Sequence, residues 1–203
     1  MPLPLKEHVR LVLLENDRGA KFYRAISDGW SEFCEKYPER GTWRRKATSR
    51  NNLWELVVRR LLTIVADDDG LEAVRHYDTI SIIADDEVLF RFKHADIGLA
   101  TANYPTAQAE AYDDHDTGLF GRTDLQRVNL CYVLDQFETS ILWTGVAASN
   151  KGRHLWKIEL DGVGAVAPVE QLPTDLPEVD ITRLAKVKKP ETGNAEKKKR
   201  DNG

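Results

Sequence analysis

The basic segment at residues 39–50 carries the residue types that most suggest chemistry. Guanidinium groups bind phosphate and carboxylate oxygens in a bidentate fashion, and an exposed tryptophan can stack on a nucleobase. The segment therefore predicts a contact with nucleic acid or with an acidic partner protein. The alternative is a solvated loop whose arginines pair with acidic neighbours, as charge runs commonly do. The candidate nucleic-acid-binding residues are Arg40, Trp43, Arg44, Arg45, Lys46 and Arg50.

A second polar group combines His94 and Asp96 with the Asp-Asp-His-Asp run at residues 113–116. Histidine and carboxylate side chains bind divalent metals, so a metal-dependent hydrolase is one interpretation. The spacing matches no standard ligand pattern such as His-Glu-x-x-His, and we predict a polar loop without a metal. The acidic residues 85–87 are interpreted as a hairpin turn, because Asp forms local hydrogen bonds there.

Motifs for nucleophilic catalysis and cofactor binding are absent from the sequence. It contains no Gly-x-Ser-x-Gly elbow, no Gly-x-x-x-x-Gly-Lys loop and no Gly-x-Gly-x-x-Gly after a strand. We therefore predict no bound cofactor, and we favour a non-enzymatic role. Cys34 and Cys131 lie among apolar neighbours, which predicts buried free thiols and not nucleophiles or a disulfide.

Charge is distributed unevenly along the 203 residues. The net charge is −4, but residues 186–203 carry +4 and residues 1–185 carry −8. An acidic body argues against a protein that binds nucleic acid with its whole surface, which leaves the basic segment and the Lys-rich end as local contacts. The end is too poor in apolar residues to offset the entropy of ordering, so we expect it to be disordered.

Apolar residues at helical spacing predict three helices in the N-terminal third, which must position the basic segment. Asn16 or Asp17 is expected to cap the second helix, and Pro38 to follow its end. A further short helix is predicted at residues 71–77. The three main helices are predicted around residues 5–13, 22–33 and 52–65.

From residue 79 onward apolar residues recur at every second position, which is the spacing of a β-strand. Residues 79–84 and 88–93 predict a hairpin, and three later runs predict an antiparallel meander, at residues 128–134, 141–147 and 155–160. The fold class is therefore α+β: N-terminal helices packed on an antiparallel sheet made of the hairpin and the meander. We assign residues 1–78 to the helical part, 79–165 to the sheet part of the same domain, and 166–203 to an extended, mostly disordered basic tail.

The long polar connection at residues 94–126 is a candidate recognition surface, because long loops in compact domains are usually functional or mobile. Asn103 and Tyr104 are its candidate partner-binding residues. They have an alternative interpretation as a turn and cap before a short helix around residues 106–112. Trp143 in the sheet is a third candidate, because tryptophan is frequent at interfaces, although it is equally typical of a core.

Five stretches within about residues 79–160 form a distinctive pattern. They are Phe90-Arg-Phe-Lys-His-Ala-Asp-Ile-Gly-Leu, Asn103-Tyr-Pro-Thr-Ala-Gln-Ala, Arg127-Val-Asn-Leu-Cys-Tyr-Val-Leu-Asp-Gln-Phe-Glu-Thr-Ser-Ile, Asn150-Lys-Gly and Trp156-Lys-Ile-Glu-Leu. Together they resemble small bacterial proteins encoded beside a helix-turn-helix protein fused to an ImmA/IrrE-type metallopeptidase domain.

The resemblance implies a component of a toxin–antitoxin or phage-defence module. Such a component would bind its cognate helix-turn-helix/metallopeptidase-type partner, and the missing His-Glu-x-x-His motif implies that this chain is the partner and not the peptidase. The alternative is a nucleic-acid-directed toxin or binding protein that uses the basic segment and the Lys-rich tail. No leader-like N-terminus and no apolar run of about 20 residues occurs, so we expect a cytoplasmic protein.

Overall fold

The computed structural model describes residues 3–76, 79–101, 107–115, 118–122 and 124–161. An N-terminal layer of three helices is followed by a six-stranded sheet, and a fourth, short helix lies between the third and fourth strands. The helices are α1 Lys6–Leu14, α2 Arg18–Lys36, α3 Lys46–Ala66 and α4 Ala107–Asp113. The strands are β1 Leu71–His76, β2 Thr79–Ala84, β3 Val88–Ala95, β4 Gln126–Leu134, β5 Ile141–Asn150 and β6 Arg153–Glu159.

The three predicted N-terminal helices are confirmed, but two details differ. α3 begins at Lys46 and not at residue 52, so the end of the basic segment is helical. Neither Asn16 nor Asp17 caps α2 with its side chain, because both lie in a tight turn at positive φ. The Asn16 amide instead donates to the carboxylate of Asp68, at 3.2 Å.

The α+β class is confirmed, and so are the hairpin of β2 with β3 and the meander of β4, β5 and β6. The strands lie in the order of the sequence, and every neighbouring pair is antiparallel except β3 with β4. A parallel pair needs a long crossover, because the chain must return to the starting edge. The connection through α4 supplies that return, which accounts for its length.

The short helix predicted at residues 71–77 is wrong where the structure describes it. Leu71–His76 is the edge strand β1, paired with β2 from Leu71 opposite Ala84 to His76 opposite Thr79. A helix of two turns is marginal by itself, whereas the open edge of β2 offers a full row of hydrogen bonds. The helical part of the domain therefore ends at Ala66 and not at residue 78.

The core lies between the helices and one face of the sheet, referred to here as the helix face. Val128, Leu130 and Tyr132 alternate toward this face along β4, and Phe22 from α2 meets Phe90 from β3 edge-on at 5.5 Å. The residues between them face the other way, to the second face of the sheet. Residues 127–134 are nevertheless all buried, because α4 and its flanking loops cover part of the second face.

A buried arginine joins the helices to the hairpin. Arg18, at the start of α2, is 1% exposed, and its guanidinium binds both carboxylate oxygens of Asp68 at 2.9 and 3.1 Å. It also binds the carboxylate of Asp85 in the β2–β3 turn. A β-carbon at Gly70 would overlap the ends of both the Arg18 and Asp85 side chains, so a larger residue there would displace this contact.

Replacing Arg18 with methionine should strongly destabilise the protein, because the buried Asp68 carboxylate would lose its counter-charge. We expect the free energy of unfolding to fall by about 3–5 kcal/mol in urea denaturation. The matched control is Arg59→Met, since Arg59 pairs with Glu32 at the surface and should cost less than about 1 kcal/mol. Equal losses in the two variants would contradict this role.

The pH dependence of stability should report the same contact. Hydrogen bonds from Arg18 lower the pKa of Asp68, so the folded state favours its carboxylate. The resulting stabilisation is complete above the unfolded pKa, about 3.9, and is lost as the pH falls through the folded value. Between about pH 5 and pH 2, Asp68→Asn should lose less stability than the natural protein. If the free energies of unfolding of the natural protein and of Asp68→Asn change in parallel with pH, the ionised Asp68 does not contribute to stability through this contact.

Candidate binding cleft

A cleft of about 290 Å³ opens between the helical layer and the β4–β5 turn. Its walls come from the C-terminal part of α2, the following 3-10 turn Pro38–Thr42, the start of α3, and residues 137–139. Four of the six candidate nucleic-acid-binding residues line it: Arg40, Trp43, Lys46 and Arg50. The helices therefore bring four of the six candidate residues of the basic segment to one cleft.

The inner wall of the cleft is aromatic. The ring of Trp43 packs against Tyr37 at 5.4 Å and against Phe33 at 6.2 Å, so this tryptophan is half-buried. The guanidinium of Arg40 lies 5.9 Å from the Phe33 ring and 6.0 Å from the Trp30 ring. Arg40 also donates to the backbone oxygens of the end of α2, so its position is held by the helix terminus.

A carboxylate from the opposite wall pairs with two of the basic residues. Glu138 in the β4–β5 turn accepts a hydrogen bond from Arg50 at 2.7 Å and lies 3.3 Å from the amine of Lys46. The turn is built by Asp135, whose carboxylate accepts from the backbone and hydroxyl of Thr139. Those hydrogen bonds lower the pKa of Asp135. Part of the positive charge of the cleft is therefore balanced within the protein.

Unpaired charge follows Trp43 along the chain, and an exposed aromatic ring lines the cleft. Arg44 and Arg45 are exposed and have no ionic partner in the described part of the chain. Phe137, at the tip of the β4–β5 turn, is 78% exposed and lines the same cleft. Phe137 is not among the residues predicted from the sequence, because it lies in the short connection between two predicted strands and outside the basic and long polar segments. A large apolar residue in a polar turn was the available signal.

His94 lies behind the cleft, on the helix face of the sheet. Its ring meets Tyr132 edge-on at 5.3 Å. Burial lowers the pKa of His94, and the nearby charge of Arg50 lowers it further. The imidazole is therefore neutral at physiological pH and adds no positive charge to the cleft.

The proposed metal-binding group does not assemble among the described residues. His94 lies on the helix face, whereas His115 is buried on the second face, with Nε2 at 2.8 Å from the Ser149 oxygen. The Asp113 carboxylate accepts from Ser149 and from the backbone of Gly152, so it fixes the β5–β6 turn. Across the described ranges, no three His, Cys, Asp or Glu side chains are grouped to hold a metal ion. Asp116 lies outside them.

Of the three candidate partner-binding residues, the structure describes only one. Asn103 and Tyr104 lie outside the described residues, as does the Lys-rich tail. Trp143 is half-buried on the second face, where its ring covers Gly145 and the amine of Lys157 lies 5.9 Å from the ring centre. It packs with Cys131 and Val133, which supports the core interpretation of this residue.

Both cysteines are free: Cys131 is buried and Cys34 is half-buried. Burial raises the pKa of Cys131 to about 12 and raises that of Cys34 as well. Because the thiolate is the reactive form, neither residue fits a catalytic nucleophile.

A thiol-modifying reagent should distinguish the two cysteines. In the native protein we expect Cys131 to resist modification, since it is buried and protonated, and to react only on unfolding. Ellman's reagent with the Cys34→Ser variant measures this directly, with the urea-unfolded variant as the reference. Native-state modification of that variant at the unfolded rate would contradict the packing of the second face.

Comparison of the chain with protein-family models, curated proteins and solved structures finds no match. No helix in the described ranges is long and apolar enough to cross a membrane.

Proposed function

We propose that this protein is a binding component of a bacterial toxin–antitoxin or phage-defence module. It docks its cognate helix-turn-helix/metallopeptidase-type partner through the cleft between α2, α3 and the β4–β5 turn. The observation that carries the docking site is Phe137, which is 78% exposed and lines the cleft together with Arg40 and Trp43. The assignment to a module rests on the resemblance of residues 79–160 alone.

The chemistry of the cleft suits a protein interface. Aromatic residues and arginine are enriched at interfaces, and a few of them carry most of the binding energy. Burying the Phe137 side chain in a partner would contribute about 1.5–3 kcal/mol. The half-buried Trp43 and Trp30 provide apolar surface next to it. The free guanidinium groups then favour a partner segment that carries carboxylates.

Variants of the full chain test this proposal against the protein encoded beside its gene. Phe137→Ala should weaken binding about tenfold or more, because an aromatic anchor is removed. The double variant Arg44→Ala/Arg45→Ala should also weaken binding. Its effect should be larger at low salt than at high salt, because salt screens the exposed charges of the two natural arginines. Co-purification and isothermal titration calorimetry measure both effects.

Two control variants match these changes outside the cleft. Ile97→Ala removes an apolar side chain that is 80% exposed, and Arg24→Ala/Arg153→Ala removes two exposed arginines. Both should bind like the natural protein. Unchanged affinity in the Phe137 and double-arginine variants, or failure of the natural protein to bind its neighbour, would contradict the proposal.

Nucleic-acid binding is the second candidate, favoured by the two unpaired arginines that follow Trp43. It predicts that Arg44→Ala/Arg45→Ala lowers the affinity for single-stranded RNA and reduces the salt slope by about one for each phosphate that is no longer neutralised. Arginine-dependent RNA binding that Phe137→Ala leaves unchanged would favour this candidate. No RNA binding at low salt would exclude it.

A further inference from the structure

The second face of the sheet carries a cavity of about 620 Å³ that is separate from the cleft. It lies between residues 98–101, α4 and the β5–β6 turn, with β4 as its floor. This volume falls within the usual range for small-molecule sites, about 300–1,000 Å³.

The floor of the cavity presents an asparagine amide that has no partner among the described residues. Asn129 projects from β4 to the second face, between Arg91 on β3 and Ala147 on β5. Its side chain is only 7% exposed and lines the cavity, yet it makes no hydrogen bond within the described structure. Neither amide atom of Asn129 is among the fully buried polar atoms that lack a partner, so the amide is open to the cavity. A ligand in the cavity could therefore pair with both its donor and its acceptor.

The walls of the cavity are fixed by buried hydrogen bonds. The Tyr112 hydroxyl donates to the backbone oxygen of Val128 at 2.7 Å and holds α4 against the sheet. The guanidinium of Arg127 donates to the backbone oxygen of Ala111 at 2.7 Å and so holds the last turn of the same helix. On the facing wall, the turn that carries Leu99 is closed by a hydrogen bond from its backbone N–H to the Asp96 backbone oxygen at 2.9 Å.

The charges around the cavity disfavour an anionic ligand. Asp113 is bonded to the β5–β6 turn, and Asp114 lies 3.6 Å from the amine of Lys151. Glu110 is exposed on the rim, and its carboxylate has no partner among the described residues. Desolvation, with the charge of Lys157, lowers the pKa of His154, so this rim residue is neutral at physiological pH. The rim is therefore negative, with one carboxylate free to accept hydrogen bonds.

We propose that this cavity binds an uncharged adenine nucleoside, with the Asn129 amide paired to the adenine edge and the Glu110 carboxylate accepting from ribose hydroxyls. An asparagine amide matches adenine, because it donates to N7 and accepts from the N6 amino group. A carboxylate is the usual acceptor for ribose hydroxyls. Leu99 and Tyr112 supply apolar wall around the base.

Isothermal titration calorimetry of the full chain with adenosine, guanosine and adenosine monophosphate tests the site. Adenosine should bind saturably at about 1 mM or below. Guanosine should bind about tenfold more weakly, because its O6 acceptor replaces the donor that the Asn129 oxygen requires. The monophosphate should also bind about tenfold more weakly, because its charge faces the acidic rim.

Two substitutions at Asn129 separate a binding role from a structural one. Asn129→Asp keeps the shape but removes the donor, and should weaken adenosine binding about tenfold. Asn129→Leu should abolish binding while the urea midpoint stays equal or rises, because the natural amide is unpaired. The control is Ser81→Ala, a buried polar residue on the same face two strands away, which should leave the affinity unchanged.

No saturable adenosine binding would overturn the proposal. So would unchanged affinity in both Asn129 variants, or a monophosphate that binds as tightly as adenosine. A large loss of stability in Asn129→Leu would assign the residue a structural role instead. None of these outcomes depends on whether the cleft binds a partner protein.

Discussion

The buried contact of Arg18 with Asp68 and Asp85 is the constraint on which the arrangement of the layers depends. It joins the start of α2, the residues after α3 and the β2–β3 turn at one end of the molecule. Because α2 and α3 run antiparallel, their other ends must meet far from this contact. That is where the 3-10 turn and the start of α3 form the cleft. A single ionic cluster therefore fixes one end of the helical layer and leaves the opposite end to carry the recognition residues.

The two faces of the sheet separate the two candidate sites. Alternation along β4 sends Tyr132 to the helix face, beneath the cleft, and Asn129 to the second face, into the cavity. The parallel pairing of β3 with β4 obliges the chain to cross the second face, and this crossover carries α4. The cavity is thus a consequence of the topology, since the crossover and the β5–β6 turn form its walls.

Patterns within one element predicted most of the fold. Apolar residues at helical spacing, such as Phe22 and Phe33, predicted the position of α2. Apolar residues at alternating positions predicted the hairpin and the meander. Features that depend on distant residues could not be predicted in this way. β1 forms because β2 offers it an edge, and the pairing of Arg50 with Glu138 joins residues 88 positions apart. The exposure of Phe137 likewise depends on how the turn between β4 and β5 packs against the helices.

The most direct test of the cleft as a docking surface is chemical-shift mapping of the ¹⁵N-labelled full chain during titration with the protein encoded beside its gene. We expect shift changes concentrated at residues 37–50 and 135–139, with the backbone around Arg18 unperturbed. Changes confined to other surfaces, with Trp43 and Phe137 unaffected, would show that the cleft is not where the partner binds.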